Sequence, residues 1–396
     1  MKTLNNIVKI IAGEFRTIVS GYAVLLVLTG GIFLYGFLYN YMYEPNVIRK
    51  APVAVVDCSR TPLSRQYART LDATPQIQVV TDNPELQRAK EMMKTGDIIG
   101  YIYIPADFDE RIGRGEEAVY ITFSTTTAFL YYASVQEASA GAMLAINNAV
   151  RPEIVVFLPQ EDVTSILQIS TIKVKGIPLY NYTGGYGTYL IPAVLMVIIF
   201  QTLIMVIFML CGNEWHNRSI VNYGRNGISF GKMAQVIAGK TFVYVMLYVV
   251  FSMFLLGLLP LIFQLPHLAH YGEIIVLLIP YLLSTCFFGL TLSFVCTDSD
   301  APLLLVAFFS VGLIFLSGVS YPLELIPAYW KVLHYIFPTA PATLAFVKLN
   351  SMNAGLSGIE QQYIILWIQS VIYFVTACLV YKYRVKRACK EIDKLE

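Results

Sequence analysis

Charge is scarce in this chain, and the scarcity excludes more than any single motif does. Of 396 residues, only 14% are Asp, Glu, Lys or Arg, against roughly 25% in an average soluble domain. Apolar side chains make up 56%. A soluble globular protein of this length needs a large charged surface, so that class is excluded, and so is disorder, which requires low hydrophobicity. The net charge of +2 excludes a nucleic-acid binder built around a basic domain.

Cysteine and histidine are also sparse. Of six cysteines, Cys211, Cys286, Cys296 and Cys378 fall in apolar runs and read as small hydrophobes. Cys389 lies in a basic tail. Cys58 stands alone in the segment 41–187, so no disulfide closes there; it reads as a buried thiol, with pairing between chains as the alternative. His267 and His270 share a helical face, but two imidazoles without a third ligand read as loop residues rather than a metal site. Asp298 and Asp300 form a D-x-D pair with no basic phosphate-binding partner nearby, and read as turn or cap chemistry. The nearest approach to a phosphate-binding loop, Ala234 through Gly239-Lys240-Thr241, lacks its first glycine and leads into an apolar run. Lys240 reads there as an interfacial anchor.

What the chain does contain is six apolar runs: 18–40, 188–211, 241–263, 274–296, 302–322 and 363–381. Together they hold 133 residues without one Asp, Glu, Lys or Arg. Each is long enough to cross about 30 Å of hydrocarbon as a helix. The first run is too long for a signal-peptide core and ends in the aromatic cluster Tyr39 to Tyr43, so it reads as an anchor. With no ionisable group in any run, an ion-coupled transporter, a proton pump and a selective ion pore are disfavoured. The energy for any transport would come from another subunit.

Lys and Arg set the orientation. Residues 1–17, 212–240 and 382–396 carry 13 of them, whereas 264–273 and 323–362 carry only Lys331 and Lys348. The positive-inside rule places both termini in the cytoplasm and 41–187 outside. That outer segment holds 29 of the 54 charged residues. Strands at 52–57, 76–81, 97–104 and 118–123 alternate with helices at 62–72 and 83–95, the latter opened by Asp82-Asn83-Pro84, and a short helix follows Pro105. A strand near 171–178 leads back to the membrane. The alternation predicts an α/β layer domain. Residues 128–150 predict a helix whose Ala138, Gly141, Ala142 and Ala145 allow close packing, either on its own domain or on a second chain. The fold class expected is a polytopic α-helical membrane protein with six transmembrane helices and an inserted α/β extracytoplasmic domain.

Three further segments are positioned to transmit force. Residues 1–17 place Leu4, Ile7, Val8, Ile11 and Phe15 on one stripe, with Lys9, Glu14 and Arg16 elsewhere, as in an interfacial amphipathic helix. The loop 212–240 is long enough for a short helix parallel to the membrane. Residues 317–342 are punctuated by Pro322, Pro327, Pro338 and Pro341, with Tyr329, Trp330, Leu333 and Phe337 making an apolar face between them. Such irregular backbone fits short helices dipping into the outer leaflet.

These features together resemble the permease subunits of type-2 ATP-binding-cassette (ABC) exporters that carry a large extracytoplasmic domain after the first span. The resemblance rests on Val55-Val56-Asp57-Cys58-Ser59-Arg60-Thr61-Pro62-Leu63-Ser64-Arg65, Ile104 to Phe108 with Gly115, Tyr180-Asn181 through Pro192, and Leu316-Ser317-Gly318 with Tyr321-Pro322 and Ile326-Pro327. It implies that residues 1–17 are the interface helix. Glu214, Trp215, Arg218, Arg225 and Lys232 would lie in the coupling segment that docks on a cytoplasmic ATPase subunit. Gly318, Pro322, Pro327, Trp330 and Pro338 would belong to an outer re-entrant segment, 320–342. It further implies a bacterial inner-membrane location, a second permease chain (identical or paralogous), ATP and Mg²⁺ bound on the partner subunit rather than this one, and an amphiphilic, lipid-like or drug-like cargo. A periplasmic membrane-fusion adaptor and an outer-membrane channel are further expected partners. Two other readings compete. A receptor with an outer ligand domain needs a cytoplasmic effector domain, which a 15-residue tail cannot supply. A membrane enzyme needs clustered acids or histidines at one membrane face.

Overall fold

The structure, a computed structural model, describes residues 2–42, 48–82, 84–114, 116, 118–124, 129–157, 186–224, 227–295, 306, 312–321 and 323–392. The expected strand at 171–178, Asn181, Gly115, Arg225, Pro322 and the Asp298/Asp300 pair lie outside these residues. So does most of the run 302–322. The chain divides into two compact units, one formed by Met1–Glu44 with Leu179–Glu396 and the other by Pro45–Pro178.

The first unit begins with α1 (Lys2–Ser20) and α2 (Tyr22–Met42). Gly21 separates them by taking an extended backbone conformation (φ −88°, ψ 98°). One π-helical turn, Leu26–Gly31, lies inside α2.

In the second unit β1 (Ala51–Asp57), α3 (Pro62–Asp72), β2 (Ile77–Asp82), α4 (Leu86–Thr95), β3 (Gly100–Ile104), α5 (Phe108–Gly113), β4 (Ile121–Ser124) and α6 (Phe129–Phe157) follow in order. The sheet order is β2-β1-β3-β4. β1 pairs in parallel with both neighbours, while β4 runs antiparallel to β3. A central parallel strand is covered on both faces and so reads as a continuous apolar run. Accordingly Val53 and Val55 pack with Tyr67, Leu71, Ile102 and Val135, whereas Ala54 and Val56 pack with Ala89 and Tyr101. Pro62 starts α3 and Thr61 caps it: its hydroxyl accepts from the Ser64 amide, and the Ser64 hydroxyl accepts from Thr61 N–H. Burial pushes the Tyr67 phenol well above its usual range, and its hydroxyl meets Ser139 Oγ at 2.9 Å.

Two expectations for this unit need correction. The second helix opens at Leu86 after Glu85, not at the Asp82-Asn83-Pro84 signal, because β2 runs on through Asp82. Cys58 is exposed rather than buried, since it is the first residue past the end of β1. On α6, Ala138 and Ala142 are buried in the unit's own core, while Gly141 and Ala145 are exposed.

The first unit resumes with α7 (Tyr186–His216), α8 (Phe230–Ile262), α9 (Tyr271–Leu292), α10 (Ala328–Ile336), α11 (Thr339–Met352) and α12 (Glu360–Ile392). Among the described residues, five helices are long and apolar enough to cross a membrane: α2, α7, α8, α9 and α12 with its preceding turn. The pair α10 and α11, bent by 85°, makes a sixth if counted as one broken span. The unit is mostly helical and multi-pass. α7 is its most enclosed helix. Glycines set the closest approaches: a Cβ on Gly36 of α2 would lie 2.7 Å from Leu255 of α8, and one on Gly289 of α9 would lie 2.9 Å from Ile204 of α7. Hydroxyls add ties between helices, Tyr281 to the Met196 carbonyl at 2.7 Å and Thr291 to Thr376 at 2.9 Å. Phe242, Met246 and Val250 on α8, and Ile368, Val371, Val375 and Leu379 on α12, are exposed apolar stripes. Such stripes are stable against lipid rather than water.

Candidate functional site

At the His216 end of α7, five segments distant in sequence converge on one ammonium group. α8 begins eleven residues earlier than its apolar run, at Phe230, where Ser229 caps it by accepting from the Lys232 amide. Lys240 therefore lies well inside α8, and it is fully buried. Its Nζ donates to Glu14 Oε2 of α1 at 2.9 Å and to Glu214 Oε1 of α7 at 2.5 Å. The sequence reads Lys240 as an interfacial anchor; the structure buries its ammonium between two carboxylates. The apolar runs themselves stay free of charge, but the helices that contain them extend past them and include Glu214 and Lys240.

Tyrosines complete the shell. Tyr244, one turn along α8, donates to Glu14 Oε1. Tyr223 donates to Glu214 Oε1 at 2.8 Å, and Tyr381 of α12 donates to Glu214 Oε2 at 3.3 Å. Burial, with Glu214 and Glu14 nearby, pushes the Tyr223 phenol far above its usual range, so it stays a donor. A buried charge persists only when paired and hydrogen-bonded, and every carboxylate oxygen here has a donor. Arg384 of α12, itself buried, donates from Nη2 to the Cys211 carbonyl at 3.4 Å.

The connection between α7 and α8 is shorter than the expected loop 212–240. Both helices grow into it, leaving 217–229. The expected short helix is a single 3-10 turn, Ser219–Tyr223, entered through Arg218 in the left-handed region (φ 51°). Of the expected coupling residues, Glu214 points inward to Lys240. Trp215 lies under two guanidinium groups, Arg384 at 5.2 Å and Arg387 at 5.6 Å from its ring centre. Arg218 is exposed. Lys232, half-buried, lines a cleft of about 780 Å³ together with Lys9, Gly13, Glu14 and Thr17 of α1 and Glu214 of α7. Val8, Phe15 and Val19 of α1 are exposed on a different face.

The outer set lies elsewhere in the bundle. Gly318 takes a left-handed turn (φ 83°) that favours glycine. Pro327 precedes α10, where Trp330 is exposed, and Pro338 sits at the 85° bend. Two carbonyls in the last turn of α10 would be orphaned by the bend, and α12 satisfies them: Gln369 donates to the Tyr335 carbonyl at 2.7 Å and Tyr373 to that of Ile336 at 2.6 Å. His334 bonds the Leu316 carbonyl at 2.7 Å. Among the described residues, Trp330, Leu333, Phe337, Leu313 and Leu316 line an apolar groove of about 570 Å³.

The sequence reading missed Glu14, Tyr223, Tyr244, Tyr381, Arg384 and the true setting of Lys240. A signal existed: Glu14 is the only acid in 1–17 and Glu214 the only acid in 212–240. Each faces a basic residue only after folding. The near-match to a phosphate-binding loop is continuous helix in α8, so its amides are spent on helical hydrogen bonds. Among the described residues no three His, Cys, Asp or Glu side chains group as metal ligands.

Among curated proteins, no sequence matches the chain. A family model described as ABC-2 family transporter protein matches residues 22–379. That match begins at the first residue of α2, takes in the α7–α8 connection and ends within α12. The chain therefore belongs to the ABC-2 transporter family, as a membrane permease that is a transport subunit rather than an enzyme and that the family associates with an ATPase subunit.

Proposed function

We propose that this chain is the permease half of an ATP-driven exporter that moves an amphiphilic, lipid-like or drug-like substrate out of the cytoplasm or inner leaflet. The observation that carries the reading is the α7–α8 connection. It is short, its turn is pinned to Glu214 through Tyr223, and it is continuous with two span helices. A separate ATPase subunit that pushes on 217–229 would move those helices rather than a slack loop. ATP and Mg²⁺ bind on that subunit, and this chain binds no cofactor. Trp215, Arg218, Arg225 and Lys232 form the docking segment, and Glu214 holds it to the bundle.

The distribution of Lys and Arg supports cytoplasmic termini in a bacterial inner membrane, with 41–187 as an inserted α/β domain on the outer side. The bent pair α10–α11 is the re-entrant segment near the exit, and its backbone is satisfied by α12 side chains as the membrane interior requires. Six spans form half a pathway, so a second permease chain, identical or paralogous, completes it. Where the cell has an outer membrane, a periplasmic adaptor and outer-membrane channel dock on the outer domain. Lipid-exposed apolar stripes without charge favour amphiphilic cargo.

A mild-detergent pull-down of the tagged chain, with the co-purifying proteins identified, tests the reading. Recovery of a nucleotide-binding ATPase is the expected result. A preparation without one, repeated after crosslinking in the membrane, refutes it.

A further inference from the structure

We infer that Lys240 is the positioning residue through which the ATPase-facing connection moves α1 and α8 as one body, so that each ATP cycle depends on it although it touches neither ATP nor cargo. The inference rests on the proposed coupling role of 217–229. Three facts carry it. Lys240 is fully buried and joins Glu14 on α1 to Glu214 on α7, residues 200 positions apart in sequence. Glu214 also accepts from Tyr223 in the turn of the connection, so displacing that turn either breaks a 2.8 Å bond or carries Glu214 along. Gly239 lets α1 lie against α8: a Cβ there would meet Ile10 at 2.9 Å. In the chain turn, Tyr223, Glu214, Lys240, Glu14, the link at Lys240 is sealed from solvent, although Tyr223 and the two carboxylates also border the cleft. Tyr381 ties the same carboxylate to α12.

In water an ion pair is a soft restraint, because solvent replaces either partner. Here no solvent reaches the ammonium, so separation leaves an uncompensated charge. That makes the pair a stiff one. A neutral side chain of nearly the same length keeps most of the packing and removes the stiffness.

The test uses the full-length chain with its co-purified ATPase in proteoliposomes and measures ATP hydrolysis per assembled complex. In Lys240→Met the kcat for ATP should fall at least tenfold, with KM for ATP unchanged, because the ATP site is intact on the partner. Lys240→Arg, which keeps the charge, should recover most of the rate. A purely structural role predicts the opposite pattern, less assembled complex but a normal rate for each one. Where Lys240→Met does not assemble, Glu14→Gln and Tyr244→Phe decide, with a threefold or greater fall in kcat expected. Wild-type kcat in any of these variants that assembles normally overturns the inference. If no ATPase co-purifies with the wild-type chain, the function proposed above fails instead.

Discussion

Lys240→Met is also the substitution whose effect on stability can be worked from the structure. Methionine keeps most of the stem and removes the ammonium. Two carboxylates, Glu14 at 6% and Glu214 at 12% side-chain exposure, lose their shared cation. Removing one partner of a buried pair costs about 3–5 kcal/mol. Some of this is offset, since Glu14 keeps the Tyr244 hydroxyl and Glu214 keeps Tyr223 and Tyr381. These bonds exist already in the wild type and can only tighten, so we expect a loss near the lower bound, about 3 kcal/mol. Glu14→Gln removes one charge-assisted bond and should cost about 1.5–3 kcal/mol. In the double variant the missing ammonium no longer strands Glu14, so the combined loss should fall short of the sum by about 1–2 kcal/mol. The assay is unfolding of the four proteins in mixed detergent micelles, followed by circular dichroism. A Lys240→Met protein within 1 kcal/mol of the wild type, or additive losses in the double variant, would show that the cluster is not a coupled buried site.

Other outcomes follow from single contacts. Gly36→Val should destabilise the bundle by about 1–3 kcal/mol through overpacking, because Leu255 and Leu259, both fully buried, lie 2.7 and 2.8 Å from the added Cβ; the same unfolding assay reads it. Burial pushes His267 below the usual imidazole range, against an Asn350 bond that favours the charged form. The unfolded chain takes up that proton near pH 6.5, so it binds more protons than the folded one just below that pH. Stability should therefore fall as pH drops through about 6.5 and level off below the folded pKa. His267→Gln should show a smaller change in unfolding midpoint between pH 7.5 and 5.5 than the wild type; an equal change counts against it. Thr61→Ala removes the acceptor of the Ser64 amide at 3.2 Å and should cost about 1 kcal/mol. Hydrogen exchange of the first turn of α3 in the intact protein should then quicken about fivefold; unchanged exchange would mean that the cap contributes nothing.

The sequence by itself determined the membrane class and most of the element order. A run of twenty uncharged residues has few stable places other than a bilayer, so α2, α7, α8, α9 and α12 were legible from composition alone. The helix over 62–72 was legible because its cap, first-turn proline and apolar period agree. Where one signal stood alone, as with Asn83-Pro84, the neighbouring strand overrode it. The family resemblance was legible from the order of several weak segments. The partnership of Glu14, Glu214 and Lys240 was decided only by tertiary structure. A charge count treats every Lys at a helix end as solvated, and nothing local distinguishes Lys240 from Lys232. Lys240 is fully buried while Lys232 lines a surface cleft, because α1 lies against α8 at Gly239 and brings Glu14 across more than two hundred residues. Burial of a charge depends on whether its partners arrive with it, and a linear sequence does not record who arrives.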